Sequence, residues 1–177
     1  LKKDLNLDKN STLVDIGSND GIFIEPIQEL GITSIGVEPA KNVGKIANSN
    51  GLKTFTEYFS DKTVNKIIKQ YGKADVVTAF NVFAHNDWLR EILNNIEELL
   101  SDSGEFIFEV QYLLRTIEDL TFDNVYHEHV NYWCVLSVLK FFENSELKVY
   151  KVKEVDTRGG SLRIYASKDK KKRLHKS

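Results

Sequence analysis

The chain has 177 residues and a formal net charge of −2, so its length suits one domain and no global basic field favours nucleic acid. A single cysteine, Cys134, excludes an intramolecular disulfide or a multi-cysteine zinc site in this segment and favours a reducing, cytoplasmic setting. No apolar run is long enough to span a membrane and no signal peptide opens the chain, so we expect no membrane as a partner. Because of the charge balance, we expect no nucleic acid as a partner either.

The segment that says most about function is Val14-Asp15-Ile16-Gly17-Ser18-Asn19-Asp20-Gly21. Thr12–Ile16 is predicted as a buried strand, a small polar turn follows it, and after Gly21 the apolar residues take a helical period. This order of strand, glycine turn and helix is typical of the unit that binds phosphates and nucleosides in doubly wound α/β proteins.

A second predicted strand, Thr33–Val37, ends in Glu38, and an acidic residue about 20 positions beyond the glycine turn binds ribose hydroxyls in such folds. Dinucleotide turns usually carry G-x-G-x-x-G, which lets the backbone approach a pyrophosphate. Asn19 and Asp20 stand here instead, and a carboxylate repels a pyrophosphate. The turn suits a cofactor with a cationic part, and S-adenosylmethionine, with its sulfonium, ammonium and ribose, fits it. The alternative is a tight turn with a solvated Asp20 in an α/β domain of other function.

Strand and helix patterns alternate as far as Val110. The predicted strands are Thr12–Ile16, Thr33–Val37, Lys53–Phe55, Asp75–Phe80 and Glu105–Val110. The predicted helices between them are Gly21–Leu30, Ala40–Asn50, Lys62–Tyr71 and Asp87–Leu100. Alternation of this kind predicts a parallel sheet that helices cover on both faces.

After Val110 the rhythm changes. The predicted elements are a helix at Leu113–Leu120, a loop from Thr121 to Trp133, a helix at Val135–Glu143, and strands at Lys148–Val155 and Ser161–Ser167. The connection between these last strands is short enough for an antiparallel pair. We predict one α/β domain over residues 1–168, with a doubly wound sheet that ends in an antiparallel hairpin, and a solvated basic tail at 169–177. Because the first residue is Leu1, we expect a fragment of a longer protein.

A titratable cluster, Tyr126-His127-Glu128-His129, lies in the loop after the fifth predicted strand. Ligands of open α/β sheets bind beyond the carboxyl ends of the strands, so this loop can fold over the cofactor pocket. A histidine there suits a general base, Glu128 could orient it, and Tyr126 could donate to an oxyanion. A metal site on His127 and His129 is an alternative, which we rank lower because no further His or Cys follows a recognised spacing. A polar surface loop is the other alternative.

In six segments the chain resembles the sugar C-methyltransferases, which act on nucleotide-linked keto-deoxysugars. The matching segments are Val14-Asp15-Ile16-Gly17-Ser18-Asn19-Asp20-Gly21, Gly36-Val37-Glu38-Pro39-Ala40, Asn81-Val82-Phe83-Ala84-His85, Phe106-Ile107-Phe108-Glu109-Val110, Tyr126-His127-Glu128-His129 and Gly159-Gly160-Ser161-Leu162-Arg163. The first two segments fit many class I methyltransferases, whereas the combination of the third, fifth and last is much more specific.

The resemblance implies a class I methyltransferase (Rossmann-like) fold that binds S-adenosylmethionine and releases S-adenosylhomocysteine. It implies that His129 removes a proton beside the sugar ketone, with Tyr126 and Glu128 assisting. Because the sequence has a single cysteine and no second ligand cluster, we expect that the pocket needs no metal within this segment. The small-molecule substrate would be a nucleotide-sugar. The predicted cofactor-binding residues, from strand ends and matching segments together, are Asp15, Gly17, Asn19, Gly21, Glu38, Pro39, Phe59, Asn81, Val82 and His85.

Two departures from the family pattern matter. The family typically carries a cysteine-rich zinc-binding segment before this region and a further domain after it, so we expect cofactor binding to survive here better than turnover. Arg158 stands where a histidine often precedes Gly-Gly-Ser. Three other functions stay open: an O- or N-methyltransferase, a non-catalytic cofactor-binding module, and a nicotinamide-dependent oxidoreductase, which Asn19 and Asp20 disfavour.

Overall fold

The computed structural model describes residues 7–169 and 171–172, which form a seven-stranded sheet. The strands are β1 Thr12–Ile16, β2 Thr33–Val37, β3 Lys53–Phe55, β4 Ala74–Phe80, β5 Leu100–Gln111, β6 Lys148–Val155 and β7 Ser161–Ser167. Their order across the sheet is β3-β2-β1-β4-β5-β7-β6. The first five strands pair in parallel, whereas β7 runs antiparallel to β5 and β6. The predicted sheet, mostly parallel with a terminal antiparallel hairpin, is confirmed.

The helices connect the strands in the way that a doubly wound fold requires. They are α1 Ile24–Glu29, α2 Lys41–Ser49, α3 Asp61–Tyr71, α4 Leu89–Leu99, α5 Leu113–Glu118 and α6 Val135–Phe141, with 3₁₀ turns at Phe83–His85 and Phe122–Asn124. The chain runs outward from β1 to β3 and then returns to β4 on the other side of β1. This reversal of strand order opens a crevice at the carboxyl ends of β1 and β4, where ligands of such folds bind.

Two apolar clusters hold the sheet between the helices. β1 contributes Val14 to the larger cluster and Leu13 to the smaller one, and β4 divides Val77 and Val76 in the same way. Successive side chains of a strand point to opposite faces, so a strand covered on both sides is apolar at nearly every position. The Phe83 ring stacks on Phe108, with 4.9 Å between centroids, and fixes the first 3₁₀ turn to the larger cluster.

Two element boundaries differ from prediction for identifiable reasons. The helix predicted at Gly21–Leu30 begins only at Ile24, because Gly21 adopts φ +94° and keeps the chain in a turn. The strand predicted at Glu105–Val110 extends over Leu100–Gln111, because its start pairs with β4 across a bulge. Five predicted helices shift by one to two residues at their ends: Ala40–Asn50, Lys62–Tyr71, Asp87–Leu100, Leu113–Leu120 and Val135–Glu143. β4 starts one residue before Asp75, and the loop predicted from Thr121 to Trp133 contains the second 3₁₀ turn.

Two lysines near the start of the predicted basic tail contact the domain surface, and the tail at 169–177 stays a prediction. Lys168 Nζ lies 3.5 Å from Glu146 Oε2, and Lys172 pairs with Glu105 while its ammonium lies 4.9 Å from the centroid of the Tyr150 ring. Residues 170 and 173–177 of that tail lie outside the described residues. None of the helices within the described ranges is long and apolar enough to cross a membrane.

We expect Gly21→Ala to destabilise the domain more than Gly51→Ala does. Both glycines have positive φ, +94° and +80°, which costs an L-residue about 1–2 kcal/mol. A Cβ on Gly21 would also lie 2.1 Å from Leu52 Cδ1, whereas a Cβ on Gly51 meets nothing within 4 Å. Overpacking adds roughly 1–3 kcal/mol to the first variant alone. Urea denaturation of both variants checks this, and equal losses would show that the contact with Leu52 relaxes freely.

Candidate active site

A cavity of about 680 Å³ opens where β1, β2 and β4 end. It is lined by Ile16, Gly17, Val37, Glu38, Pro39, Tyr58, Phe59, Ser60, Val82, His85, Asn86, Trp88, Glu91 and Ile92. Six residues predicted to bind the cofactor are among them: Gly17, Glu38, Pro39, Phe59, Val82 and His85. The crevice at the switch point therefore coincides with the strand-end residues that the sequence singled out.

Glu38 is the anchor of this cavity. Its side chain is nearly buried, at 8% exposure, and each carboxylate oxygen accepts one backbone hydrogen bond. Asn19 N–H donates to Oε2 at 2.9 Å, and Ala40 N–H donates to Oε1 at 2.8 Å. Because a carboxylate has about four lone-pair sites, both oxygens can still accept from a ligand hydroxyl. Glu38 thus fixes the turn after β1 and remains able to bind a ribose.

The glycine turn shapes the wall of the cavity through its backbone. Gly17 has φ +71°, and a Cβ there would lie 2.7 Å from Val82 Cγ2. Asn19 also has positive φ, +52°, which asparagine tolerates better than most residues. Asn19 and Gly21 were predicted to contact the cofactor, but they do not line the cavity. They set the path of the turn that holds Gly17 and the Glu38 carboxylate in place.

Asp15 is buried below the turn rather than on the cavity wall, at 3% exposure. It lies opposite Thr78 in the register of β1 and β4, and Thr78 Oγ1 donates to Asp15 Oδ1 at 2.5 Å. The pKa of Asp15 is raised from 3.8 to about 7, chiefly by burial; the hydrogen bond from Thr78 opposes the rise, and the negative charge of Glu38 contributes to it. Asp15 therefore supports the floor of the site and changes charge near neutral pH.

The charges around this cavity match S-adenosylmethionine. Glu38 and Glu91 are its carboxylates, and no Lys or Arg side chain is among the lining residues in the described part of the chain. A cofactor with phosphates needs cations or a glycine cradle, whereas a sulfonium and an ammonium favour carboxylates. Tyr58 and Trp88 are large aromatic side chains at the rim, 78% and 73% exposed, and offer flat apolar surface for an adenine.

A second cavity, of about 440 Å³, lies beside the first. It is lined by Asn81, Ala84, His85, Gln111, Thr121, Asp123, Asn124, Tyr126, His129, Arg158 and Gly159. His85 lines both cavities and marks where they meet. Asn81 was predicted to bind the cofactor, yet it lies with the second cavity and adopts φ +58°. A polar second cavity next to an apolar cofactor cavity suits a small polar substrate.

His129 has the tautomer that a general base needs. Its Nδ1 lies 2.8 Å from the carbonyl oxygen of Asn124, and a carbonyl only accepts, so Nδ1 carries the proton. Nε2 therefore has the lone pair, and the Tyr126 hydroxyl donates to it at 3.3 Å. The His85 ring lies 4.7 Å away, centroid to centroid. The predicted pair Tyr126 and His129 is thus assembled in one cavity.

The other members of the predicted cluster face elsewhere. Glu128 offers its backbone carbonyl to His85 Nδ1 at 3.0 Å, while its side chain is 61% exposed and does not line either cavity. His127 is 89% exposed. The loop is held on the first 3₁₀ turn, because Val130 N–H donates to the Ala84 carbonyl at 2.9 Å. Within the described ranges, no group of three or more His, Cys, Asp or Glu side chains is placed to hold a metal ion.

Several lining residues had escaped sequence reasoning. Trp88 directly precedes α4 and Glu91 lies in its first turn, and their segment gave only a helical pattern. Asn124 acts through its carbonyl, which any residue could supply, so no side-chain pattern could reveal it. Arg158 was noted only as a departure from the family pattern, although a positively charged residue on a turn beyond the strands was a usable signal.

The sheet order and the acidic nucleoside cavity define the class I fold of S-adenosylmethionine-dependent methyltransferases. Residues 2–152 match the family model described as a methyltransferase domain, and the chain belongs to this family.

Two relatives extend this finding. The chain is 32% identical over 163 residues to C-methyltransferase NovU of Streptomyces niveus, which covers 92% of this chain and 39% of that protein. It is 25% identical over 142 residues to the ubiquinone biosynthesis O-methyltransferase of Pelagibacter ubique, which covers 78% of this chain and 58% of that protein. The chain thus spans well under two thirds of the length of either relative.

Solved structures share the architecture at low sequence identity. A putative methyltransferase in complex with the Trm112 methyltransferase activator of Haloferax volcanii superposes with a TM-score of 0.73 at 15% identity, covering 94% of this chain and 87% of that one. Magnesium protoporphyrin IX methyltransferase from Synechocystis PCC 6803 with bound S-adenosylhomocysteine gives 0.67 at 14% identity, covering 87% and 72%. These likenesses establish the fold.

We expect Glu38→Ala to weaken binding of S-adenosylhomocysteine by about 2–4 kcal/mol, because charge-assisted hydrogen bonds to the ribose and the acceptor for two backbone N–H groups are lost. Isothermal titration calorimetry measures the loss directly. Glu57→Ala is the matched control, since Glu57 pairs with Lys66 at the surface and lines neither cavity. Unchanged affinity in Glu38→Ala would remove Glu38 from the cofactor site.

Asp15→Asn should stabilise the domain increasingly as pH rises. The folded protein holds the Asp15 proton up to about pH 7, whereas the unfolded chain releases it near 3.8. Between these values the native state binds more protons, so its free energy of unfolding falls with pH by about 1.4 kcal/mol per unit and levels off above the folded pKa. Asparagine removes this dependence and can still accept from Thr78.

Urea denaturation at about pH 5 and about pH 8 tests this expectation. The difference in free energy of unfolding between Asp15→Asn and the unsubstituted protein should grow with pH and reach on the order of 4 kcal/mol at about pH 8. A difference that does not change with pH would mean that Asp15 titrates at its ordinary value.

Proposed function

We propose that this domain transfers a methyl group from S-adenosylmethionine to a carbon of a nucleotide-linked keto-deoxysugar. The observation that carries the proposal is the Nε2 lone pair of His129, in a polar cavity that meets the cofactor cavity at His85. The 32% identity to a C-methyltransferase supports carbon as the acceptor. The segment resemblance and the polar lining of the second cavity support the sugar.

The first cavity provides the site for the cofactor. Glu38 binds the ribose hydroxyls while it holds the turn that carries Gly17, and the aromatic rim residues Tyr58 and Trp88 contact the adenine. When bound, the cofactor supplies an electrophilic methyl group on its sulfonium. The protein then has to align that methyl group with the acceptor carbon, because transfer depends on positioning more than on covalent assistance.

The acceptor carbon must first become nucleophilic, and His129 does this. Nε2 takes the proton from the carbon beside the ketone, and the electron pair of that C–H bond moves to form an enolate. The Tyr126 hydroxyl has to release the Nε2 lone pair before that lone pair can take the proton, and once released it can donate to the enolate oxygen. The Nδ1–H bond to the Asn124 carbonyl persists throughout and keeps the ring oriented.

Oxygen methylation is the competing function, and the likeness to a ubiquinone biosynthesis O-methyltransferase favours considering it. A hydroxyl acceptor also benefits from a base at His129, so the geometry of the base alone does not separate the two reactions. They differ in one respect: an O-methyltransferase has no need to remove a proton from carbon.

We expect His129→Asn, in the intact protein, to bind S-adenosylhomocysteine normally and to lose about 10²–10⁴-fold in methyl transfer, the usual contribution of a positioned base. Exchange of the substrate C–H proton with deuterated solvent, followed by NMR without methyl donor, isolates the base step. His127→Asn is the matched control, because His127 is 89% exposed and lines neither cavity.

Exchange as fast in His129→Asn as in the unsubstituted protein would assign the base to another residue. Absence of exchange in the unsubstituted protein, together with active methyl transfer to oxygen, would replace C-methylation by O-methylation.

A further inference from the structure

Arg158 has an exceptional position in the second cavity. Within the described ranges it is the only Lys or Arg side chain that lines either cavity. It lies in the turn between β6 and β7, across from the loop that carries Tyr126 and His129. The cavity that we assign to the substrate therefore has one fixed positive charge, and the cofactor cavity has none.

The guanidinium of Arg158 has no ion-pair partner among the described residues. No carboxylate of the described residues lies within 4.0 Å of it. The two other arginines at this end of the sheet are paired: Arg115 contacts Glu154 and Glu118, and Arg163 contacts Glu109. An unpaired arginine on a cavity wall beside two paired ones is available to an anion from outside.

The backbone holds Arg158 at some cost. Its φ is +51°, in the left-handed region, where a residue with a Cβ loses roughly 1 kcal/mol or more. The turn is nevertheless well fastened, because Tyr112 N–H donates to the Gly160 carbonyl at 3.1 Å and Gly160 N–H to the Thr157 carbonyl at 3.0 Å. The Thr157 hydroxyl donates to Glu109 at 3.4 Å, which ties the turn to the end of β5.

We propose that Arg158 binds a phosphate group of the substrate and thereby selects nucleotide-linked molecules over free sugars. The proposal rests on the function proposed above. A guanidinium matches the oxygens of a phosphate with two parallel hydrogen bonds. Asp123 also lines this cavity and repels an anion, so a phosphate is attracted to Arg158. The hydrogen-bonding side chains Asn81 and Gln111 remain for the sugar hydroxyls.

The test uses inorganic pyrophosphate as the probe of the phosphate site, with malonate as a carboxylate of similar charge. Calorimetry measures both on the intact protein saturated with S-adenosylhomocysteine. Arg158→Asn removes the charge while asparagine tolerates the left-handed backbone, and Arg158→Lys keeps a charge without the planar fork. Lys153→Asn is the control, because it removes an equal charge from an exposed position of the same hairpin, outside both cavities.

We expect Arg158→Asn to weaken pyrophosphate binding by roughly 10- to 100-fold, the contribution of a charge-assisted pair, and Arg158→Lys to lose less. Lys153→Asn should change it little, and malonate should bind more weakly than pyrophosphate to the unsubstituted protein. Affinity for S-adenosylhomocysteine should be the same in all variants, which shows that the fold is intact.

Three results would overturn the proposal: no pyrophosphate binding to the unsubstituted protein, equal binding in Arg158→Asn, or tighter binding of malonate than of pyrophosphate. Pyrophosphate binding requires no turnover, so the result is independent of the proton-exchange experiment. If pyrophosphate binding depends on Arg158 but the unsubstituted protein exchanges no C–H proton, the phosphate site is supported and C-methylation fails. If proton exchange depends on His129 but pyrophosphate binding does not depend on Arg158, C-methylation is supported and the phosphate site fails.

Discussion

The Glu38 carboxylate is the interaction on which the rest of the site depends. It accepts one N–H from the turn after β1 and one from the start of the segment after β2, so a single buried anion joins two neighbouring loops. An orphaned N–H at either place would cost about 1–3 kcal/mol, and the turn that exposes Gly17 to the cavity would lose its support. The same two oxygens keep lone pairs for a ligand. One group can therefore support the turn and still accept from a ligand, while Asn19 tolerates its positive φ without being glycine.

Charge divides the two cavities by chemistry. Around the first, Glu38 and Glu91 are the charged side chains, which suits a cationic methyl donor. Around the second, Asp123 and Arg158 are the charged side chains, and Arg158 offers a partner to the anionic substrate that we propose. If these charges were exchanged, each ligand would meet a like charge on entry, and like charges at close range disfavour binding. His85 lies at the boundary of the two cavities, with its Nδ1 hydrogen-bonded to the Glu128 carbonyl. This distribution of charge supports the assignment of the two cavities that we propose.

The sequence predicts the sheet well and the site in part, and the difference has a physical cause. Strands such as Thr33–Val37 are buried on both faces, so their apolar runs and the turn residues beside them define the bounds. Glu38 and Gly17 follow strands directly, and strand ends meet at one edge of the sheet. The exposure of the Glu128 side chain and the contribution of the Asn124 carbonyl depend instead on how a long loop folds back, and backbone acceptors carry no residue signature. The burial of Asp15, and with it the raised pKa, depends on Thr78, which is distant in sequence and visible only once β1 and β4 pair.

The hydrogen bond between His129 Nδ1 and the Asn124 carbonyl determines how far the protein can stabilise the protonated form of the base that we propose. Catalytic histidines are often oriented by a carboxylate, which also stabilises the imidazolium. Here a neutral carbonyl holds Nδ1–H, so orientation is secured while the full counter-charge is absent. The hydrogen bond becomes charge-assisted when Nε2 gains a proton and strengthens at that moment, which favours proton transfer without stabilising the protonated ring beforehand. A base of this kind returns its proton readily once the enolate is consumed. Glu128 contributes its backbone carbonyl to His85 Nδ1, whereas its exposed carboxylate lines neither cavity.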